Sequence, residues 1–358
     1  MPRRIGLPSL YLAAAAATAV TTAIPLAMAP ASGIASRPPV TEPTRPYIVT
    51  VRDRAEARDL VGEMRWRVRR FYTAALPGFA TVLTATELAE LSADPRVLGI
   101  EADREIHPMP VTTSASHHTL RATHATHATH ATHATHAAHA AHATGKGVMV
   151  YIVDSGVTHG RTGGAFHSEN LHMSGRTGNF RVSHGFGDRL WWAFDATGRT
   201  GEDCGGHGTR VARAVGGRSH GVAPQAGIAS VRVLGCGGSG SLSDTLAGLD
   251  WVRRHARGPA VANLSLDGAD SPALRTAMAR LARSGIFVVA ATGTGRCRLS
   301  PTGETYSARA PRLAGAAARY LELHPGANPS VLASWLKCAA TRDTIRQNPS
   351  RALPTDRP

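Results

Sequence analysis

Lysine is almost missing from this chain of 358 residues: of its 40 basic residues only Lys146 and Lys337 are lysine, and the other 38 are arginine. Against 25 acidic residues this leaves a formal net charge of +15. The arginines are scattered, with no group denser than Arg65-Trp-Arg67-Val-Arg69-Arg70, so the skew reads as base composition, and nucleic acid is not an expected partner. Cysteine is scarce as well. The four present, at 204, 236, 297 and 338, have no close spacing of the kind that builds a metal cage, and no metal site is expected from them. Aromatic residues make up only 5% of the chain, yet 42% hydrophobic and 18% charged suffice for a folded core and exclude global disorder. Beyond the first thirty or so residues no apolar run is long enough to span a bilayer.

What is present divides the chain into segments. Residues 1–35 carry Arg3 and Arg4, an Ala-rich apolar stretch from Leu7 to Ala29, and small residues at Ala27-Met-Ala29 and Gly33-Ile-Ala35. That is the pattern of a cleaved secretory signal, so the remainder is expected outside the cell, away from the membrane, where cysteines oxidise. Residues 46–107 read as β-α-β-β-α-β: Tyr47–Val51 and Gly78–Leu83 are strands, Thr86 caps a helix, and Asp94–Glu101 turns into another strand. Within 108–144 a strict three-residue repeat places histidines at 124, 127, 130, 133, 136, 139 and 142. A period of three walks around an α-helix and makes no single face, so the repeat reads as a linker, with metal capture or a pH response as the competing reading. Residues 145–345 form the main domain and 346–358 a tail.

In the main domain, apolar strands near Val148–Val153, Ile228–Leu234, Pro259–Leu266 and Gly285–Ala291 alternate with helical stretches near His207–Val215, Ser243–Arg257 and Ala273–Arg283. Buried strands separated by helices predict an α/β domain with a mostly parallel sheet, whose chemistry gathers where strands end. Asp154 ends the first strand, His207 opens a helix in Asp203-Cys-Gly-Gly-His-Gly-Thr209, and Ser307 precedes a helix. A hydroxyl becomes a nucleophile when a histidine takes its proton, and a buried carboxylate holds that histidine in the right tautomer.

The order Asp154, His207, Ser307 with these flanks resembles the subtilisin-like serine proteases and, within them, the proteinase K-like secreted branch. The resemblance runs from Gly145 to about Ala340, and residues 46–107 look like the ferredoxin-like inhibitory propeptide of such enzymes. It implies a three-layer fold and a secreted endopeptidase working through an acyl-enzyme. Asp154 would orient, His207 would act as base and then acid, and Ser307 would attack. Gly238-Ser239-Gly240 and Ser265-Leu266-Asp267 would receive an extended substrate through main-chain hydrogen bonds, and Cys204 would pair with Cys236. Partners would be protein or peptide substrates and the chain's own propeptide, the protein a monomer. The chemistry would need no cofactor, although structural calcium is common in the family.

Several residues depart from the family pattern. Ala290-Ala-Thr-Gly293 puts glycine at the oxyanion asparagine, a donor whose loss in subtilisin costs about 10² to 10³ in kcat. The backbone N–H of Ser307 is expected to remain as a donor. Only fourteen residues separate Gly293 from Ser307, where the family has several dozen, so the sheet is expected to be incomplete and its pairing broken. Thr305-Tyr-Ser-Ala-Arg-Ala-Pro311 replaces Gly-Thr-Ser-Met-Ala-Thr-Pro, and Arg309 is expected to bury a charge. Cys297 lacks its usual partner segment, leaving Cys338 or no partner. The working expectation is a slow, self-cleaving protease, cut between about residues 107 and 145. The alternative is a non-catalytic relative that only binds peptide or propeptide.

Overall fold

A computed structural model of the chain describes residues 42–64, 67–111, 143–158, 186–268, 270–292, 298–300, 304–307 and 309–336. The expected signal, the histidine repeat, Gly293, Cys297, Cys338 and the tail lie outside the described residues. All described residues fall within one unit, Glu42–Pro358.

The N-terminal part forms β1 (Arg45–Val51), α1 (Arg54–Met64), β2 (Val68–Tyr72), β3 (Gly78–Leu83), α2 (Ala85–Ser92) and β4 (Val97–Ala102), in an antiparallel sheet ordered β2-β3-β1-β4. Helix α2 is capped by Thr84 and not by Thr86. Glu87 lies three residues after Thr84, and the two close a capping box in which the Thr84 hydroxyl accepts from Glu87 N and the Glu87 carboxylate accepts from Thr84 N. Successive residues of a strand point to opposite faces, yet Ile48 and Val49 are both fully buried. Val49 and Val51 pack with Ala57, Leu60 and Leu91 under the helices. Ile48, Tyr72, Leu76 and Ala80 belong instead to a core shared with the main domain. So small a unit buries too little apolar surface by itself; borrowing a second covered face supplies the rest.

The main domain contains β6 (Met149–Asp154), β7 (Leu190–Asp195), α3 (His207–Gly216), β8 (Gly227–Arg232), β9 (Gly240–Ser241), α4 (Leu242–His255), β10 (Ala260–Leu264), α5 (Pro272–Arg283), β11 (Ile286–Ala290), β12 (Arg298–Leu299), β13 (Thr305–Tyr306), α6 (Ala310–Leu323) and α7 (Pro329–Leu336). The short β5 (Glu105–Ile106) precedes it. Seven strands in the order β12-β13-β11-β10-β6-β8-β7 form a sheet that is parallel except at β12. Alternate residues of β6 serve opposite layers: Val150 and Ile152 join α3, α6 and α7, whereas Tyr151 and Val153 join α4 and α5. This is the three-layer α/β arrangement expected. The expectation of broken pairing is corrected. Strand β13 continues the sheet beside β11 through Val289↔Thr305 and Ala290↔Tyr306, β12 pairs with β13, and Tyr306 is buried in the core. This strand covers only the carboxyl end of β11. Strand β7 is not among the strands expected from the sequence; Trp191 and Trp192 are both about half exposed at the sheet edge, which hides the apolar pattern.

Polar contacts fix the N-terminal sheet on α4 and α5. Arg70 pairs with Asp244 at 2.6 Å, Tyr72 donates to the Ser243 carbonyl, and Asp103 and Glu101 accept from Ser243 N and Ala273 N in the first turns of the two helices. Acids suit those positions because the first N–H groups of a helix have no partner within it. The buried carboxylate of Asp250 accepts from three successive backbone N–H groups, those of Thr73, Ala74 and Ala75, at 2.6 to 2.9 Å. Asp250→Ala leaves those donors without an acceptor and is expected to cost about 3 kcal/mol of the docked arrangement. Amide hydrogen exchange over residues 46–107 should accelerate accordingly; unchanged exchange would show that docking does not depend on this carboxylate.

Candidate active site

Strand β6 ends on Asp154 in the middle of the sheet, and α3 begins on His207 beside it. Asp154 is fully buried; its Oδ1 accepts from Ser155 N at 2.8 Å and lies 2.7 Å from Nδ1 of His207. Its Oδ2 is buried without a hydrogen-bond partner. Burial pushes the Asp154 carboxyl up, against the hydrogen bond and charge of His207. Burial pulls the imidazole down, but the hydrogen bond and negative charge of Asp154, together with the Met109 carbonyl, outweigh it, and His207 lies above the ordinary histidine value.

The joint between strand and helix is held by Asp203, which escaped the sequence reading. Its Oδ1 accepts from the Ser155 hydroxyl at 2.9 Å and from Gly205 N and Gly206 N, and its Oδ2 accepts from the Thr209 N–H and hydroxyl. Ser155 in turn accepts from Gly208 N at 3.0 Å. One buried carboxylate thus ties the residue after Asp154 to the first turn of α3. It lies three residues before the N-cap Gly206, outside the position where a capping side chain is normally sought. Gly208 is required by closeness, since a Cβ there would lie 2.1 Å from the Gly156 carbonyl oxygen.

A disulfide joins Cys204 to Cys236. The buried guanidinium of Arg232 donates to both sulfurs and to the carbonyls of Glu202 and Leu234, tying β8 to the loop before His207.

Ser307 is brought near β11, at the end of β13, and is buried. Its N–H donates to the Ala290 carbonyl at 2.9 Å, and its Oγ accepts from Arg309 N at 3.1 Å. The N–H expected as an oxyanion donor is therefore engaged in the sheet. No hydrogen bond links Ser307 to His207 among the described residues; Nε2 of His207 instead lies 2.8 Å from the carbonyl oxygen of Met109. Arg309 is exposed at the N-cap of α6, which corrects the expectation of a buried charge: the helix starts at Ala310, with Pro311 in its first turn.

The chain's own residues 105–109 occupy the cleft. Strand β5 pairs antiparallel with β9 through Glu105↔Ser241 and Ile106↔Gly240. On the other side Asp267 N donates to the His107 carbonyl, the Asp267 carboxylate accepts from His107 N, Pro108 bridges Leu266, and Met109 N donates to the Ser265 carbonyl at 2.8 Å. Of the expected peptide-receiving residues, Gly240, Ser265, Leu266 and Asp267 meet this segment. Gly238 and Ser239 form the preceding turn, with Gly238 at a φ of 89°.

Family models for the subtilase family and for peptidase inhibitor I9 match residues 145–310 and 50–109 respectively. The chain is 34% identical over 346 residues to an extracellular serine proteinase of Thermus sp. (strain Rt41A), covering 82% of this chain and 78% of that protein. The chain belongs to the subtilase family. It is also 32% identical over 240 residues to an alkaline serine exoprotease A of Vibrio alginolyticus, covering 66% of this chain and 41% of that one. Fervidolysin from Fervidobacterium pennivorans, a keratinolytic enzyme related to subtilisin, shares the fold, with a TM-score of 0.54 at 14% identity over 83% of this chain and 57% of that one.

In this subtilase no three His, Cys, Asp or Glu side chains among the described residues stand close enough to hold a metal ion. No helix among the described residues is long and apolar enough to cross a membrane. Gly208→Ala should force α3 away from Gly156 and open the Asp154–His207 contact. We expect a cost of about 1 to 3 kcal/mol in urea unfolding and a drop of about 100-fold in any Ser307-dependent turnover. Unchanged stability and turnover would show that the close approach is unimportant.

Proposed function

We propose that this subtilase is a secreted serine endopeptidase in which Ser307 attacks a peptide carbonyl, His207 is base and then acid, and Asp154 holds the imidazole. The observation that carries this reading is the buried Asp154–His207 pair, 2.7 Å apart at the carboxyl end of the sheet, beside a cleft that takes an extended peptide between β9 and residues 265–267. With Nδ1–H held by Asp154, the free base presents its Nε2 lone pair to the hydroxyl. Attack forms the bond from Ser307 Oγ to the carbonyl carbon and passes the hydroxyl proton to Nε2. Collapse breaks the C–N bond as Nε2 returns that proton to the leaving nitrogen, and water repeats the sequence on the acyl-enzyme. No cofactor enters these steps. Turnover is slow, because Gly293 has no side-chain donor and the Ser307 N–H is engaged by Ala290.

The engagement of both Ser307 groups and of Nε2 also favours a second reading, a peptide-binding relative without catalysis. The two are separated by hydrolysis of an Ile-His-Pro-Met aminocoumarin amide by the exported Asp250→Ala chain, in which the inhibitory sheet is loosened. Release of coumarin that disappears in Asp250→Ala/Ser307→Ala supports the protease, whereas binding without release supports the alternative.

The pH dependence has a definite sign. A base must be neutral to act, and Asp154 holds His207 protonated beyond the ordinary value near 6.5, so the acid limb of the rate profile should lie on the alkaline side of that value and move down in Asp154→Asn. For stability, the pair's contribution is fully present below the unfolded histidine value and fades as pH rises through the raised folded one. An acid limb at or below 6.5, unmoved by Asp154→Asn, would remove His207 from the role of base.

A further inference from the structure

The hydrogen-bond register fixes which carbonyl of the chain's own tail meets the imidazole. Met109 N donates to Ser265 and the Met109 carbonyl faces Nε2 of His207, so the bond presented is Met109–Pro110. Pro110 is exposed and Pro108 is half-buried against Leu266. Each proline narrows the backbone freedom of this segment. The ring of Pro108 fixes its own φ near −65°. Pro110 confines Met109 to extended backbone, so its carbonyl cannot readily swing away from the imidazole. His107-Pro-Met-Pro110 therefore enters the cleft already in the extended shape that the cleft binds, with little conformational freedom left to lose.

Two observations separate this occupant from a substrate. With Nδ1 on Asp154 and Nε2 on the Met109 oxygen, both ring nitrogens face acceptors; this arrangement suits the doubly protonated ring, which has no lone pair to take the Ser307 proton. Ser307 Oγ correspondingly accepts from Arg309 N. The second observation concerns the leaving group. Acylation would form the bond from Ser307 Oγ to the Met109 carbon and break the bond to the Pro110 nitrogen, which must take a proton from Nε2. That nitrogen carries the ring Cδ in place of a hydrogen, and the ring stands beside the carbonyl carbon where the imidazole has to approach.

Resting on the protease reading above, we propose that Pro110 makes the Ile106–Met109 segment a resident inhibitor that the subtilase does not cleave at the bond presented, so that the cut expected between about residues 107 and 145 does not fall after Met109. The test is the intact mass and N-terminal sequence of the full chain, its Pro110→Ala variant and the Pro110→Ala/Ser307→Ala double variant. Since Pro110 is exposed, its replacement leaves the core untouched. The parent should keep the 109–110 bond. Pro110→Ala should yield a fragment beginning at residue 110, and that fragment should be lost in the double variant. A parent already cut after Met109, or a Pro110→Ala chain uncut there, overturns the proposal. Coumarin release by the Asp250→Ala chain then tells which reading has failed: if release persists, only the role of Pro110 falls, and if it is absent, the protease reading falls with it.

Discussion

The site depends on one joint, where the carboxylate of Asp203 ties the end of β6 to the start of α3. Asp154 and His207 lie 53 residues apart in sequence, on elements that alternation and capping would each form without the other. Asp203 makes them meet, through the Ser155 hydroxyl on one side and the N–H groups of Gly205, Gly206 and Thr209 on the other. A buried carboxylate with that many donors is satisfied. It also requires the glycines around it, since Gly206 adopts a φ of 77° and Gly208 leaves no room for a side chain.

From this joint the inhibitory sheet and the cleft follow as one assembly. The antiparallel sheet gives one face to its own helices and the other to α4 and α5, so its fold and its docking are the same burial event. Carboxylates at Glu101, Asp103 and Asp250 align it by taking up N–H groups that would otherwise lack partners. The strand that leaves this sheet reaches β9 three residues after β4 ends, and backbone pairing together with the Asp267 carboxylate sets Met109 against His207. The position of a distant methionine is thus determined by how the preceding sheet sits.

Much of this was legible in the residues. Buried strands with helices between them pointed to the parallel sheet, and a strand ending in Asp154 and a helix opening at His207 pointed to two side chains that the fold brings together. Three features were not legible, each for a physical reason. Strand β13 is two residues long and exists only because β11 offers an open edge, so no local pattern announces it; it also explains why the Ser307 N–H is engaged. The half-exposed tryptophans of β7 mask its strand character. The register of residues 105–109 is set by partners more than 130 residues away, which no periodicity in the segment itself encodes.

The arrangement requires that His207, held by Asp154, donate from its other nitrogen to the Met109 carbonyl in the intact chain. It is tested most directly by nitrogen-15 NMR of histidine-labelled precursor, with the His207 signals assigned by their loss in His207→Gln. Two protonated ring nitrogens on His207 should persist to a pH above the ordinary histidine range, with the Nδ1 proton far downfield. A His207 ring that is neutral at pH 6.5 and bears a free Nε2 in the intact chain would contradict it.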